Sequence, residues 1–121
     1  MENYDFHPVN AYKVEGDDGT YYNLQINVGE DGLEEAEELF EEHDNYPNGP
    51  GWEGLVTYII EKECPELKSH FTFDSEGDTF LADCKDESKM IQLATLLQDI
   101  IQDNKRLTQY LMELPDEYKD A

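Results

Sequence analysis

The clearest structural signal in the chain is the run Thr20-Tyr21-Tyr22-Asn23-Leu24-Gln25-Ile26-Asn27-Val28. Its side chains alternate between two faces, a pattern that is typical of a half-buried β-strand. One face carries Tyr22, Leu24, Ile26 and Val28, and the other carries Tyr21, Asn23, Gln25 and Asn27. The short run Val9–Val14 precedes it across a glycine-containing turn, so the two runs together predict a β-hairpin.

Two helices are predicted after this hairpin. The segment Leu33–His43 has one apolar stripe, glutamates over the rest of its surface, and Asp31 in a position to cap it. Residues 44–51 are rich in Asn, Pro and Gly, which predicts a loop. The segment Trp52–Lys62 then has a one-sided apolar stripe and predicts the second helix.

The remaining elements are two short strands and a long helix. Phe71–Phe73 and Thr79–Cys84 flank an acidic turn and predict a second hairpin, and Asp86 begins the last helix. The predicted order is therefore β-β-α-α-β-β-α, an α+β fold in which an antiparallel sheet packs with helices. We expect one small acidic domain over residues 1–121, with frayed ends at 1–8 and 115–121.

The charge balance excludes several classes of protein. The chain has 30 Asp and Glu against 8 Lys and Arg, a formal net charge of −22. We therefore expect no nucleic acid partner and no membrane partner, because both present negative charge. The first residues lack the pattern of a signal peptide, so we expect a cytoplasmic chain. Reduced thiols are then favoured at Cys64 and Cys84, although a bridge between them stays open.

The negative charge is concentrated in one part of the chain. No Lys or Arg lies between Lys13 and Lys62, and that segment holds 14 of the 30 acids. The glutamates of the first predicted helix are either a solvated face or a docking face for a basic partner. Trp52 is either a core residue or a contact residue, and an exposed Tyr46 would be a natural contact anchor.

No motif for catalysis, metal binding or cofactor binding is present. The three histidines are far apart, the acidic turns lack the spacing of a calcium loop, and no phosphate-binding or nucleophile motif occurs. We therefore expect a protein that is not an enzyme, with no metal and no cofactor.

Two motifs carry a resemblance to a known family. Asn48-Gly49-Pro50-Gly51-Trp52 is similar to an Asn-Gly-Tyr-x-Trp pattern that opens a helix, with Pro50 in place of the Tyr. Glu63–Leu67, followed by Phe73–Glu76 and Phe80, is similar to a second family segment, with Ser75 in place of a Pro. On these residues, and on the order of elements, the stretch from Tyr22 to about Leu111 resembles the immunity protein 51 family of bacterial polymorphic-toxin systems.

The resemblance implies an acidic cytoplasmic antitoxin that neutralises a cognate toxin by binding it, without catalysis. A nuclease with a basic cleft would suit a partner of this charge, and a monomer is favoured. The toxin-binding candidates are Glu34, Glu35, Glu37, Glu38, Glu41, Glu42, Tyr46, Asn48 and Trp52. The alternative is a general acidic protein-interaction module, or a nucleic-acid mimic with a host partner.

Overall fold

The computed structural model describes residues 2–119, which form five strands, four α-helices and two 3-10 helices. In chain order these are β1 (Glu2–Phe6), β2 (Val9–Gly16), β3 (Gly19–Asn27), α1 (Glu34–Glu42), α2 (Gly49–Glu63), β4 (Phe71–Phe73), β5 (Thr79–Cys84), α3 (Glu87–Ile101) and α4 (Asn104–Glu113). The 3-10 helices are Pro65–His70, between α2 and β4, and Asp116–Tyr118, after α4.

The sheet has the strand order β1-β2-β3-β5-β4, and every neighbouring pair is antiparallel. Its register places one row of side chains across all five strands, in the order Tyr4, Ala11, Leu24, Ala82 and Phe73. Because side chains alternate along a strand, this row and the rows two residues away on either side share one face of the sheet, which is largely apolar. We call this the inner face.

The helices cover the inner face. Helix α3 packs against four of the strands, α2 packs mainly against β5, and α4 packs against the other three helices. Leu24 and Ile26 of β3 are fully buried with Leu55 of α2 and Leu93 of α3. The core therefore lies between the inner face and the helices, as expected for an α+β domain.

The opposite face of the sheet, which we call the outer face, is polar. Its residues are Asn3, Asp5, Asn10, Tyr12, Val14, Tyr21, Asn23, Gln25, Asn27, Thr72, Thr79, Leu81 and Asp83. None of them belongs to the core that the inner face shares with the helices. The alternation predicted for Thr20–Val28 is thus confirmed, since Tyr22, Leu24 and Ile26 are buried on the inner face.

The N-terminal end differs from the prediction. Residues 2–6, which were expected to be frayed, form the edge strand β1, and residues 7 and 8 make the turn to β2. Tyr4 and Phe6 face the core side and stack at 6.5 Å between ring centroids. Two aromatic side chains among charged and polar neighbours gave too weak a pattern, and β2 supplies the pairing that makes the strand. Met1, Asp120 and Ala121 lie outside the described residues.

The α+β class and the antiparallel sheet are confirmed, whereas the order of elements needs two changes. The strand β1 precedes the predicted series, and the last predicted helix is two helices, α3 and α4. Asp103 separates them, because its side chain accepts a hydrogen bond from the Arg106 N–H and so caps the start of α4. Residues 115–121 were expected to be frayed, yet Asp116–Tyr118 is helical.

Candidate functional site

The N-terminal end of α1 is stabilised by its own glutamates. Asp31 was expected to cap this helix, but the cap residue is Leu33, which provides no side-chain hydrogen bond. Instead the Glu34 carboxylate accepts a hydrogen bond of 2.7 Å from the Gly32 N–H. Hydrogen bonds from the backbone N–H groups of Glu34 and Gly32 lower the pKa of the Glu34 carboxyl, so it stays ionised at the positive end of the helix dipole.

Two further glutamates of α1 bind other parts of the fold. Glu37 accepts a hydrogen bond of 2.7 Å from the Gly29 N–H, in the turn after β3. Glu35 accepts one from the side-chain amide of Asn104 at the start of α4. Glu34, Glu35 and Glu37 therefore have local structural partners as well as charge.

The side chains of the other three glutamates of α1 are exposed to solvent. Glu38, Glu41 and Glu42 are exposed, and no hydrogen bond or ion pair joins their carboxylates to any other described residue. The last turn of α1 has no basic residue to offset them. Negative charge near a helix C-terminus is unfavourable locally, so helix stability does not explain these residues. We call Glu38, Glu41 and Glu42 the acidic patch.

Tyr46 lies beside the acidic patch. Its side chain is 59% exposed, among the highest values for large hydrophobic residues in the described chain. Together with Glu41, Asp44 and Asn45 it lines an open pocket of about 240 Å³. The structure thus brings together Glu41 and Tyr46, two of the predicted contact residues, on one surface.

Asn48 has a structural role at the start of α2. It is the N-cap residue, and its side-chain oxygen accepts a hydrogen bond of 2.8 Å from the Gly51 N–H. The next residue, Gly49, donates its N–H to the Gly77 carbonyl at 2.8 Å, which joins the helix start to the β4–β5 hairpin. Helix α2 therefore begins three residues before the predicted start, inside the segment that was predicted to be a loop.

Trp52 is a core residue. Its side chain is 1% exposed, and its ring lies 4.5 Å from that of Phe40 between centroids. The core interpretation is thus confirmed, and Trp52 presents almost no side-chain surface to a partner in this conformation. The indole N–H has no hydrogen-bond partner among the described residues. Because Phe40 belongs to α1, the Phe40–Trp52 contact fixes the acidic helix to α2.

Metal ligation, thiol chemistry and membrane insertion can each be compared with the geometry of residues 2–119. No group of three or more His, Cys, Asp or Glu side chains in this range is placed to hold a metal ion. Cys64 and Cys84 are both buried and free, and burial raises the pKa of each thiol, which disfavours the reactive thiolate. Over the same range, no helix combines the length and apolar character that crossing a membrane requires.

The outer face of the sheet is a possible site that the sequence did not predict. Amide side chains there are linked to carboxylates by hydrogen bonds, and Asn23 is only 8% exposed despite its polarity. The alternation along β3 was a visible signal, because every polar position between Tyr21 and Asn27 carries an amide.

Comparison with known proteins identifies one family. The family model described as Immunity protein 51 matches residues 14–115, which is most of the chain. The match includes α1, the acidic patch, Tyr46 and the motif at the start of α2. No curated protein and no solved structure matches.

Proposed function

The chain belongs to the immunity protein 51 family, and on that premise we propose that it binds a cognate bacterial toxin domain in the cytoplasm and neutralises it without catalysis. The family match is the observation that carries this proposal. The net charge of −22 supports it, because a toxin that acts on nucleic acid needs a basic cleft for phosphates. A nuclease domain is therefore the proposed class of toxin.

The acidic patch is the part of α1 that is best suited to attract such a cleft. Its three carboxylates have no internal partner in the described chain, so a basic surface would not have to displace an existing bond. A concentrated field of one sign accelerates the encounter with an oppositely charged partner. Tyr46 lies beside the patch and would supply aromatic contact area once the two proteins meet.

The candidates divide into two roles under this proposal. Glu38, Glu41, Glu42 and Tyr46 would contact or attract the toxin. Glu34, Glu35, Glu37, Asn48 and Trp52 would hold α1 and the start of α2 in place, as their hydrogen bonds and burial indicate. Substitutions in the second group would then act through the fold.

The test uses the toxin domain encoded beside the gene for this chain. The double variant Glu38→Lys/Glu41→Lys is compared with Glu66→Lys/Glu117→Lys, which changes the net charge equally at exposed positions outside α1. We expect wild type to restore growth of cells that express the toxin and to bind it one to one. The patch variant should bind about tenfold more slowly than the control variant.

Two results would count against the proposal, and they differ. If wild type neither binds the toxin nor restores growth, the antitoxin function is wrong. If both double variants lose association rate equally, the antitoxin function stands but the acidic patch has no special role. Binding to many basic host proteins, with no preference for the toxin, would favour the alternative of a general acidic module.

A further inference from the structure

The outer face of the sheet is a second surface with the character of an interface. Its side chains are mostly half-buried or exposed, and they belong to no part of the core. Tyr12 and Tyr21 are its aromatic residues, and the Tyr21 side chain is 38% exposed. Tyrosines among short amides and hydroxyls are typical of protein surfaces that recognise other proteins.

Asp83 fixes the orientation of the amides at the centre of this face. The Asn23 side-chain nitrogen donates to an Asp83 oxygen at 2.7 Å, and the Gln25 side-chain nitrogen donates to the Asn23 oxygen at 2.8 Å. An ionised carboxylate can only accept hydrogen bonds, so Asn23 must turn its nitrogen towards Asp83. The Asn23 oxygen is then left to accept from Gln25.

Glu30 orients a second group of amides in the same way. Asn10 donates to its two oxygens at 2.9 and 3.0 Å, and Asn27 donates to one of them at 3.3 Å. The hydroxyl of Thr79 donates in turn to the Asn27 oxygen at 3.2 Å. Both groups of hydrogen bonds therefore run towards a carboxylate.

The result is a surface that offers acceptors. Each of these amides directs an N–H towards a neighbouring side chain, whereas the side-chain oxygens of Gln25 and Asn10 and one oxygen of Asp83 accept nothing from the described residues. The outer-face strand positions include no Lys or Arg. Because the amides are already held in place, little side-chain entropy remains to be lost when a partner binds.

One end of the outer face is concave. Tyr21 and Asp83 help to line an open cavity of about 740 Å³, together with Asp17 and Asp18 of the β2–β3 turn. Four aspartates and one lysine, Lys85, contribute to its lining. A guanidinium or ammonium group of a partner would find an excess of carboxylate oxygens there.

We propose that the toxin docks on the outer face, with a segment that presents Arg, Lys and amide N–H donors to its acceptor oxygens. This inference rests on the proposed function and assigns its contact surface.

Charge complementarity favours a basic partner over a second copy of this chain, because two copies, each with a net charge of −22, would place acceptor oxygens against acceptor oxygens. The turn after β3 links the outer face to α1, the helix that carries the acidic patch, since Glu30 binds Asn10 of the outer face and Gly29 binds Glu37 of α1. The acidic patch then accelerates the encounter, Tyr46 adds contact area beside it, and the outer face provides the main contact surface.

The experiment compares two variants with the same change of charge. Gln25→Lys removes an acceptor oxygen from the outer face and adds a positive charge, while the lysine can still donate to the Asn23 oxygen. Gln92→Lys makes the same change on the exposed side of α3, which packs against the inner face. The probe is the toxin domain encoded beside the gene for this chain, with binding measured by calorimetry and folding by thermal denaturation.

We expect Gln25→Lys to raise Kd by at least about tenfold and Gln92→Lys to leave it within about twofold. Equal Kd values for the two variants would overturn the docking surface while leaving the antitoxin function in place. Failure of wild type to bind would overturn the antitoxin function itself, and the docking surface with it. A wild-type dimer that Gln25→Lys dissociates would identify the outer face as a self-interface, which also overturns the proposal.

A second variant covers the case in which Gln25→Lys does not fold. Tyr21→Ala removes a partly exposed ring that makes no hydrogen bond to the described residues. The same loss of affinity is expected, because exposed tyrosines contribute strongly to protein interfaces. An unchanged Kd for a folded Tyr21→Ala protein would overturn the proposal.

Discussion

The carbonyl oxygen of Tyr46 lies so close to Gly51 that a β-carbon at residue 51 would stand 1.9 Å from it. The same relationship recurs one turn later, where a β-carbon at Gly54 would stand 1.8 Å from the Tyr118 carbonyl oxygen. Helix α2 therefore approaches the loop before it and the C-terminal 3-10 helix at distances that only glycine permits.

Gly51→Ala should destabilise the protein by more than about 2 kcal/mol, because the backbone at Tyr46 would have to move. Alanine is a better helix former than glycine, so local propensity alone predicts the opposite sign. Urea denaturation measures the difference. Gly16→Ala is the control, since a β-carbon there meets only an ordinary contact of 3.7 Å with the Gly19 carbonyl oxygen. A Gly51→Ala protein as stable as wild type would show that the close approach is not required.

Asn48→Ala should cost about 1 kcal/mol of folding stability, because it removes the side-chain cap of α2. Asn48→Asp should retain most of that stability, since a carboxylate also accepts from the Gly51 N–H. Denaturation of the free proteins and calorimetry with the toxin separate stability from affinity. If Asn48→Ala loses toxin affinity at unchanged stability, Asn48 is a contact residue after all.

Trp52 should report on the core throughout binding. It is the single tryptophan of the chain, and its burial predicts blue-shifted emission with weak quenching by acrylamide. Both should be the same in a complex with a toxin domain whose tryptophans have been replaced. Strong quenching of the free protein that decreases in the complex would instead place Trp52 at the interface.

Glu113 should make stability depend on pH. Two hydrogen bonds lower the pKa of its carboxyl below the ordinary value of 4.5, the one from Gln109 having the largest effect and the one from Lys62 the next. A lowered folded-state pKa contributes stability above the unfolded-state value, and this is lost as the pH falls through the folded-state value. Glu113→Gln should thus be less stable than wild type at pH 7, and the difference should shrink below pH 4.5.

The control for this comparison is Glu42→Gln, which removes the same charge at an exposed position whose carboxylate makes no hydrogen bond to the described residues. It corrects for the relief of repulsion that any loss of negative charge brings to a protein at −22. Parallel stability curves for the two variants between pH 7 and pH 3 would contradict the prediction.

Salt should slow the association with the toxin more than it accelerates dissociation. Long-range attraction between a protein at −22 and a basic cleft is screened as ionic strength rises. Between about 50 and 500 mM salt we expect the association rate constant to fall roughly tenfold, with a smaller change in the dissociation rate constant. Stopped-flow mixing measures both. An association rate constant that is independent of salt would show that long-range electrostatic attraction does not contribute to binding.

Elements with a strong local pattern could be predicted from the sequence. Thr20–Val28, Phe71–Phe73 and Thr79–Cys84 were predicted as strands within one residue at either end, because period-two alternation or short aromatic runs between turns mark them. The strand β1 was not predicted, since its own alternation is too weak to mark it as a strand. The start of α2 was missed because the cap at Asn48 turns a glycine- and proline-rich segment into helix.

The candidate site shows a similar division. The sequence indicated an acidic helix, but not which glutamates are committed to other groups. Glu37 is half-buried and accepts a hydrogen bond from the Gly29 N–H, whereas Glu38 is exposed, and this difference depends on how the turn after β3 folds back. The direction of the hydrogen bonds at the centre of the outer face likewise depends on Asp83, which is 60 positions from Asn23 in the chain.

The alternation along β3 separates two kinds of information within one strand. Tyr22, Leu24 and Ile26 pack in the interior, whereas the side chains of Tyr21 and Gln25 are accessible on the surface. Under the proposed docking on the outer face, exchange of surface positions such as Tyr21 and Gln25 would change the partner while the same interior is inherited. The β-strand, with its two independent faces, lets recognition diverge without the fold having to follow.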